Sequence, residues 1–336
     1  MNKFKAIFFT VALVSLCCVA CDDEEEDDTK PYLEGTVYFE VPEFVSPGSI
    51  IESVASGAKH PESGDIGYCW KISGLMDYYD TTQYLGETTC RKFRYQLPDS
   101  IGTFTLYCYA FSNGDYYPIS RTQGITTVNE TSVVYPFLPG DETITDSRDG
   151  SRYRIATIGN HQWICQNVHY SGTEANLGLG FRLSEIMGPI FGRYYSWNEA
   201  QEACPEGWRL PSEEEWTQDA QSLTNEKLEP LESWSGLGGH FLFYGKFNSY
   251  TLVDYWPEVV VTNSTKFSAL PFGYATERTS KGAFKGMYDR AVYWTSSTYG
   301  ENYGLYRTIT TQTGMIHPGY ADKDNFLANV RCIKDL

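Results

Sequence analysis

The sequence predicts two folded units in series, an all-β sandwich over residues 32–135 and an α+β domain over 144–336. Three observations carry that reading. At 336 residues the chain has room for two separate hydrophobic cores. Its earlier half consists of short alternating runs broken by Gly, Pro, Asn and Asp, the period of half-buried strands. Its later half carries two helix-start signatures, Ser196 with Glu199 and Ser212 with Glu215, among further strand-like runs.

Charge narrows the function classes before any motif is read. The formal net charge of −17 sets the chain against nucleic acid, whose phosphates it would repel. Much of that charge is local, in Asp22-Asp23-Glu24-Glu25-Glu26-Asp27-Asp28, a run that has no apolar surface to bury and reads as a solvated tail. Aromatic residues make up 15% of the chain, with 26 Tyr among them, a bias towards β-rich architecture.

Residues 1–21 read as a secretion signal. Lys3 and Lys5 form its basic start, and the apolar run from Ala6 to Ala20 is too short to span a bilayer. The segment ends Cys18-Val19-Ala20-Cys21. This resembles a bacterial lipobox, with Cys18 standing where Leu is usual, and it implies that Cys21 is lipidated. The acidic run directly after Cys21 resembles the surface-export signal of Bacteroidetes lipoproteins. Together these imply an outer-membrane lipoprotein, anchored through its acyl chains and exposed on the cell surface. Residues 22–31 are then a disordered acidic tether.

The sandwich region contains runs such as Thr36-Val37-Tyr38-Phe39-Glu40-Val41, Gly67-Tyr68-Cys69-Trp70-Lys71-Ile72 and Gly102-Thr103-Phe104-Thr105-Leu106-Tyr107-Cys108-Tyr109-Ala110. The turn Ser112-Asn113-Gly114-Asp115 is typical of the breaks between them. About seven strands with a central core tryptophan, Trp70, resemble the Ig/PKD-like spacer modules of bacterial surface proteins. Residues 136–143, Pro136-Phe137-Leu138-Pro139-Gly140-Asp141-Glu142-Thr143, read as a stiff linker.

The second domain opens with the turn Asp146-Ser147-Arg148-Asp149-Gly150, followed by a strand Tyr153–Ile158 and a second strand His161–Cys165. Ser196 caps a first helix. Ser212 caps a second over about 212–223, between the anchors Trp208 and Trp216, which are expected to be buried. Strand patterns return at Ala291–Ser297, Gly304–Ile309 and Phe326–Ile333.

Several markers then occur in a fixed order. They are Asp149-Gly150 with Gln162-Trp163, Cys204-Pro205-Glu206-Gly207-Trp208-Arg209-Leu210-Pro211, Phe267-Ser268-Ala269-Leu270-Pro271-Phe272-Gly273-Tyr274, Tyr293-Trp294-Thr295-Ser296-Ser297 and Val330-Arg331-Cys332-Ile333-Lys334. Together they resemble the Fibrobacter succinogenes major paralogous domain. The resemblance implies a C-type-lectin-like fold with two helices, a small antiparallel sheet and long loops, and a kinship with formylglycine-generating enzymes. It also implies a disulfide between Cys204 and Cys332, which secretion permits. A closed loop of that length contributes on the order of 4–5 kcal/mol in the chain-entropy model. Cys69, Cys90, Cys108 and Cys165 remain, with three full pairings open among them.

Candidate chemistry is sparse. The Glu-Pro-Asn or Gln-Pro-Asp triplet of calcium-dependent lectins is missing, and Asp322-Lys323-Asp324-Asn325 reads as a solvated turn rather than a calcium site. His60, His161, His169, His240 and His317 are scattered, and His161 and His169 read as surface residues. No cofactor or metal is implied. The remaining signal is aromatic: Tyr244, Tyr250, Tyr255 and Trp256, near His240, and more weakly Tyr299 and Tyr303, offer flat faces beside polar groups that suit a ligand. The leading expectation is a non-enzymatic, lipid-anchored surface module that binds an extracellular glycan or protein. The alternatives are a formylglycine-generating-type modifying enzyme and a structural part of a surface filament or envelope complex.

Overall fold

The computed structural model describes residues 30–74, 83–85, 90–114, 116–128, 140–172, 177–243, 259–278 and 283–336. Cys21, the acidic run, residues 136–139 of the linker, and Tyr244, Tyr250, Tyr255 and Trp256 lie outside the described residues.

Among the described residues, the first region contains nine strands: β1 (Glu34–Tyr38), β2 (Phe44–Val45), β3 (Ile50–Val54), β4 (Ser56–Lys59), β5 (Gly67–Gly74), β6 (Gln83–Leu85), β7 (Lys92–Gln96), β8 (Gly102–Phe111) and β9 (Ile119–Thr127). A five-stranded sheet runs β2-β9-β8-β5-β6, and the pairs β1-β4 and β3-β7 lie apart from it. Strict alternation on β8, where Phe104, Leu106, Cys108 and Ala110 are buried and their neighbours half-buried, turns one face of the sheet inward. Trp70 is fully buried at the centre of that core, between the rings of Phe39 and Phe93. Its indole N–H donates to Cys90 O at 3.0 Å, so the one polar atom it carries inward is satisfied.

The second region holds β10 (Thr143–Thr145), β11 (Arg152–Ile158), β12 (His161–Ile164), β13 (Phe272–Ala275), β14 (Phe284–Met287), β15 (Arg290–Tyr299), β16 (Tyr303–Thr310), β17 (Ile316–Asp322) and β18 (Ile333–Asp335). Four short helices accompany them: α1 (Gly188–Phe191), α2 (Trp197–Ala203), α3 (Glu213–Gln221) and α4 (Gly238–Phe241). One curled sheet runs β10-β11-β12-β18 and another β14-β13-β15-β16-β17.

This corrects the expected fold class. The described structure is mostly β with only short helices, and no α+β, C-type-lectin-like domain is evident over the described residues of 144–336. The physical reason lies in where the helices stop. Both capping boxes form, Ser196 with Glu199 and Ser212 with Glu215. However, α2 ends after seven residues at Cys204-Pro205, and α3 ends after nine at Ser222. A cap fixes where a helix begins, not how far it runs. The expected final strand over Phe326–Ile333 is also mostly broken into isolated bridges, Ala328 with Tyr195 and Asn329 with Tyr293, before β18 begins.

Cys204 and Cys332 form a disulfide, with their Cα atoms 5.8 Å apart. It ties the end of α2 to the residue preceding β18. Cys69, Cys90, Cys108 and Cys165 are free thiols. Trp216 is buried as expected, against Trp163 and Phe267. Trp208 is only half-buried, because Pro205–Gly207 carries it to the rim of its cluster.

Buried cations hold the irregular segments. Arg307 and Glu213 are both inaccessible and paired, the Arg307 Nε–H reaching Glu213 Oε2 at 3.1 Å. The guanidinium also donates to Glu232 O and lies 3.7 Å from the Trp234 ring centroid. Burial pulls the Arg307 pKa below its ordinary value, opposed by Glu213. Arg331 is fully buried among neutral acceptors, Asn167 Oδ1 at 2.9 Å, Phe267 O at 2.5 Å and Ser268 O at 3.2 Å, under the Phe267 ring. The loop carbonyls stand in for the water that the guanidinium lost.

Candidate functional site

The outer end of the β15-β16-β17 sheet presents three tyrosines on one face. Tyr299 pairs across the strands with Tyr303, and Leu305 with Tyr320. Register therefore puts all three rings on the face that, further in, carries the buried Leu305, Arg307 and Ile309. The inner end of this face is covered where Glu213 of α3 meets Arg307. The outer end continues past that cover, leaving Tyr299 55%, Tyr303 42% and Tyr320 56% exposed. Tyr299 and Tyr320 stack at 4.7 Å with an interplanar angle of 25°, and Tyr303 meets Tyr320 edge-on at 5.7 Å. Single exposed aromatics are ordinary, whereas three in mutual contact on a rigid sheet form a preorganised apolar surface.

The other face of the sheet supports this platform. Tyr306 stacks on Phe326 at 5.1 Å and Phe326 on Tyr274 at 4.7 Å, with Trp294 edge-on to Phe326. Gly304 faces the Trp197 ring so closely that a Cβ there would collide with it. Trp197 donates its indole N–H to Thr295 O at 2.9 Å and receives Lys323 over its ring at 4.4 Å. Lys323 in turn donates to Glu301 O at 2.6 Å, which fixes the turn between Tyr299 and Tyr303.

Acidic groups rim the platform. Asp322, the cross-strand partner of Tyr303, accepts the backbone N–H groups of Asn325 at 2.9 Å and Asp324 at 3.0 Å, and those bonds hold its carboxyl below the usual range. Glu301 and Asp324 are exposed nearby in sequence. The carboxylates of Asp322, Asp324 and Glu301 outweigh the Lys323 ammonium, which donates to the Glu301 carbonyl, so the rim is net negative and repels anionic ligands.

The other expected site residues are placed differently. His240 is half-buried in a separate cluster, its Nδ1 2.6 Å from Ser264 Oγ. Its apolar neighbours Phe241 and Leu242 fill the core, and Phe243 is half-buried against it. Of the expected residues that the structure describes, Tyr299 and Tyr303 join the platform and His240 does not. Tyr320 completes it, and only strand register, not spacing in the sequence, connects it to the other two.

Neither His161 nor His169 is a surface residue. His161 is buried with Nδ1 2.9 Å from Asp219 Oδ2, and Asp219 also accepts from Trp163 Nε1 at 2.7 Å and Asn160 N at 2.8 Å. The Nε2 face meets Glu215 at 3.7 Å and Asp335 at 3.6 Å, both of which are engaged by Arg209. This network ties α3 to β12 and β18. His169 Nε2 lies 3.0 Å from Ser151 Oγ, but its Nδ1 is buried without a partner, so no acid orients the ring as a base. Burial lowers the His169 pKa.

Cys165, the residue on which a formylglycine-generating reading turns, is buried, and burial pushes its thiol up to about 11. A thiol so held is a poor nucleophile. Among the described residues, no group of three or more His, Cys, Asp or Glu converges as a metal cluster. No helix among them is long and apolar enough to cross a membrane.

The family model described as the Fibrobacter succinogenes major domain matches residues 146–334. No curated protein and no solved structure matches the chain.

Proposed function

The chain belongs to the Fibrobacter succinogenes major domain family, and from that premise we propose that it is a non-enzymatic binding module displayed at the outer-membrane surface through a lipidated Cys21. Its ligand is an uncharged glycan, taken on the Tyr299, Tyr303 and Tyr320 platform. The observation that carries the reading is the exposed, mutually stacked tyrosine triad on a sheet held rigid from behind. Pyranose rings present flat C–H faces that pack on aromatic rings, and the phenol hydroxyls at the ring edges bond sugar hydroxyls. Tyrosine side chains lose little conformational entropy on contact, so a shallow surface of this kind can bind without an enclosing pocket. The negative rim selects against sialylated, uronic or sulfated glycans. The anchor reading is supported by the basic start, the apolar run and the small Ala20 before Cys21.

The test is a glycan array and an extracellular-protein panel probed with wild-type chain and with Tyr299→Ala and Tyr320→Ala. Neutral glycans are expected to bind, and each substitution weakens them about tenfold, the ~1.4 kcal/mol of a central aromatic contact. Folded protein that ignores every neutral glycan, or binds only proteins, overturns the glycan reading. Radiolabelled palmitate incorporation that is unchanged in Cys21→Ser would independently remove the anchor.

A further inference from the structure

Residues Glu43–Val45 make attachments in two directions. β2 pairs in parallel with the end of β9, Phe44 opposite Thr126 and Val45 opposite Thr127. Thr126 N–H donates to Glu43 O at 2.7 Å and Val128 N–H to Val45 O at 2.8 Å. The Phe44 ring, however, leaves the sandwich core. It packs in the second region's core, 6.2 Å from the Phe181 centroid and 6.0 Å from that of Phe191. The Phe44 N–H donates to Ser184 Oγ at 3.0 Å, and the Glu43 carboxylate takes the Arg182 guanidinium at 2.5 Å. Arg182 and Leu183 both adopt left-handed φ angles, 42° and 62°, a strained shape whose held points are the Glu43 ion pair and the Ser184 hydroxyl, which donates to Arg182 O at 3.3 Å.

Direction gives this arrangement a mechanical meaning. At the other end of β9, Tyr32 bridges Tyr117 in parallel, with Leu33 N–H donating to Tyr117 O and Tyr117 N–H to Pro31 O. The chain therefore runs beside β9 in the same sense, entering at its start and meeting the second region at its end. Tension between residue 30 and the second region slides these two parallel stretches past each other. The four backbone bonds are then loaded together along the strand axis, not opened one at a time.

We infer that Glu43–Val45 is a tension-bearing staple, which takes the pull between the anchored end and the binding domain before the covalent connection after Val128 is loaded. Its task in the cell rests on the surface-anchored reading above, whereas its mechanics are measured without any ligand or membrane, so the two fail separately.

The experiment is force spectroscopy on the full chain, with handles at residue 30 and the C-terminal residue. Phe44→Ala is expected to shorten the lifetime of the docked state about tenfold at fixed force, by removing a buried aromatic anchor. Moving the second handle to Gly114, which peels the Tyr117 end open from one side, lowers the opening force. Should Phe44→Ala fail to fold, Arg182→Ala, at an exposed position, is read in its place with a smaller shortening. Lifetimes equal to wild type in the folded variants, or equal opening forces for the two handle positions, overturn the staple.

Discussion

The two regions of this molecule solve the problem of burial in different ways. In the sandwich, alternation along β8 and β5 delivers side chains to a core that is almost wholly apolar, with Trp70, Leu106, Cys108 and Ile125 at its centre. In the second region long stretches lack any period, and charge is brought inside to hold them: Arg307 with Glu213, Arg331 among loop carbonyls, His161 on Asp219. A strand satisfies its own backbone through its neighbour, so its core needs only oil. An irregular loop leaves carbonyls and amides pointing inward, and a buried guanidinium with five donors can gather several at once. The lesson is that buried guanidiniums, Arg307 on β16 and Arg331 just before β18, reach out to hold the segments where regular structure gives out.

Breaking that internal charge gives the largest expected effect. Glu213→Ala strands Arg307 in the core and should cost about 3–5 kcal/mol. Hydrogen exchange should show it confined to the second region, while Trp70→Ala, at about 3–5 kcal/mol, loosens the sandwich instead. The double replacement Glu213→Leu with Arg307→Met should recover most of the loss in thermal unfolding, since it removes the stranded charge. A single mutant as stable as wild type would show that the ion pair does not hold the region.

Opening the disulfide with Cys204→Ala and Cys332→Ala ranks next, at about 2–5 kcal/mol in denaturant titration, again in the second region alone. Equal sensitivity of the sandwich to that change would erase the contrast.

Titration separates the regions on the acid side. Burial lowers the His169 pKa, so its contribution to stability is full above the unfolded value of about 6.5 and is lost as pH falls below it. Burial pushes the Glu215 and Asp146 carboxyls up, but Arg209 with Ser212 and Arg148 outweigh it and leave both lowered. Their stabilisation is present above about pH 4 and lost below it. In the sandwich the relevant group is a thiol. Burial and the neighbouring Cys69 raise Cys108 to about 12, so its contribution is full below about pH 8.5 and lost as pH rises towards 12. Melting followed by region-specific exchange should show acid loosening the second region, and alkali loosening both, since burial also raises Cys165 and Tyr194.

The smallest effect belongs to the platform. Tyr299→Ala should change stability by less than about 0.5 kcal/mol, because the ring is mostly in water. A larger loss would mean that the triad is scaffold rather than a binding surface.

What could be read directly from the residues was local. Ser196 with Glu199 and Ser212 with Glu215 announce helix starts three residues apart, and both capping boxes form. The Cys204–Cys332 bridge followed from the family resemblance. What could not be read was long-range pairing. Asp219 lies 58 residues from His161, and nothing local marks that histidine as buried. Tyr320 joins Tyr299 only because Leu305 stands opposite it in β16. The α+β expectation failed for the same reason, since cap signals report the first turn of a helix while its length, and the strands around it, are settled by contacts far along the chain.

Arg331 has a consequence for how the molecule is made. The loop carbonyls it gathers, at Phe267 and Ser268, are synthesised more than sixty residues earlier, and β12 waits still longer for its partner β18. Until the final strand has emerged, those carbonyls and the edge of β12 have no native partner. The second region is therefore built to remain open throughout synthesis and to close in one late step, and a chain cut before Arg331 would be handed to proteases instead of becoming a shortened version of the same fold.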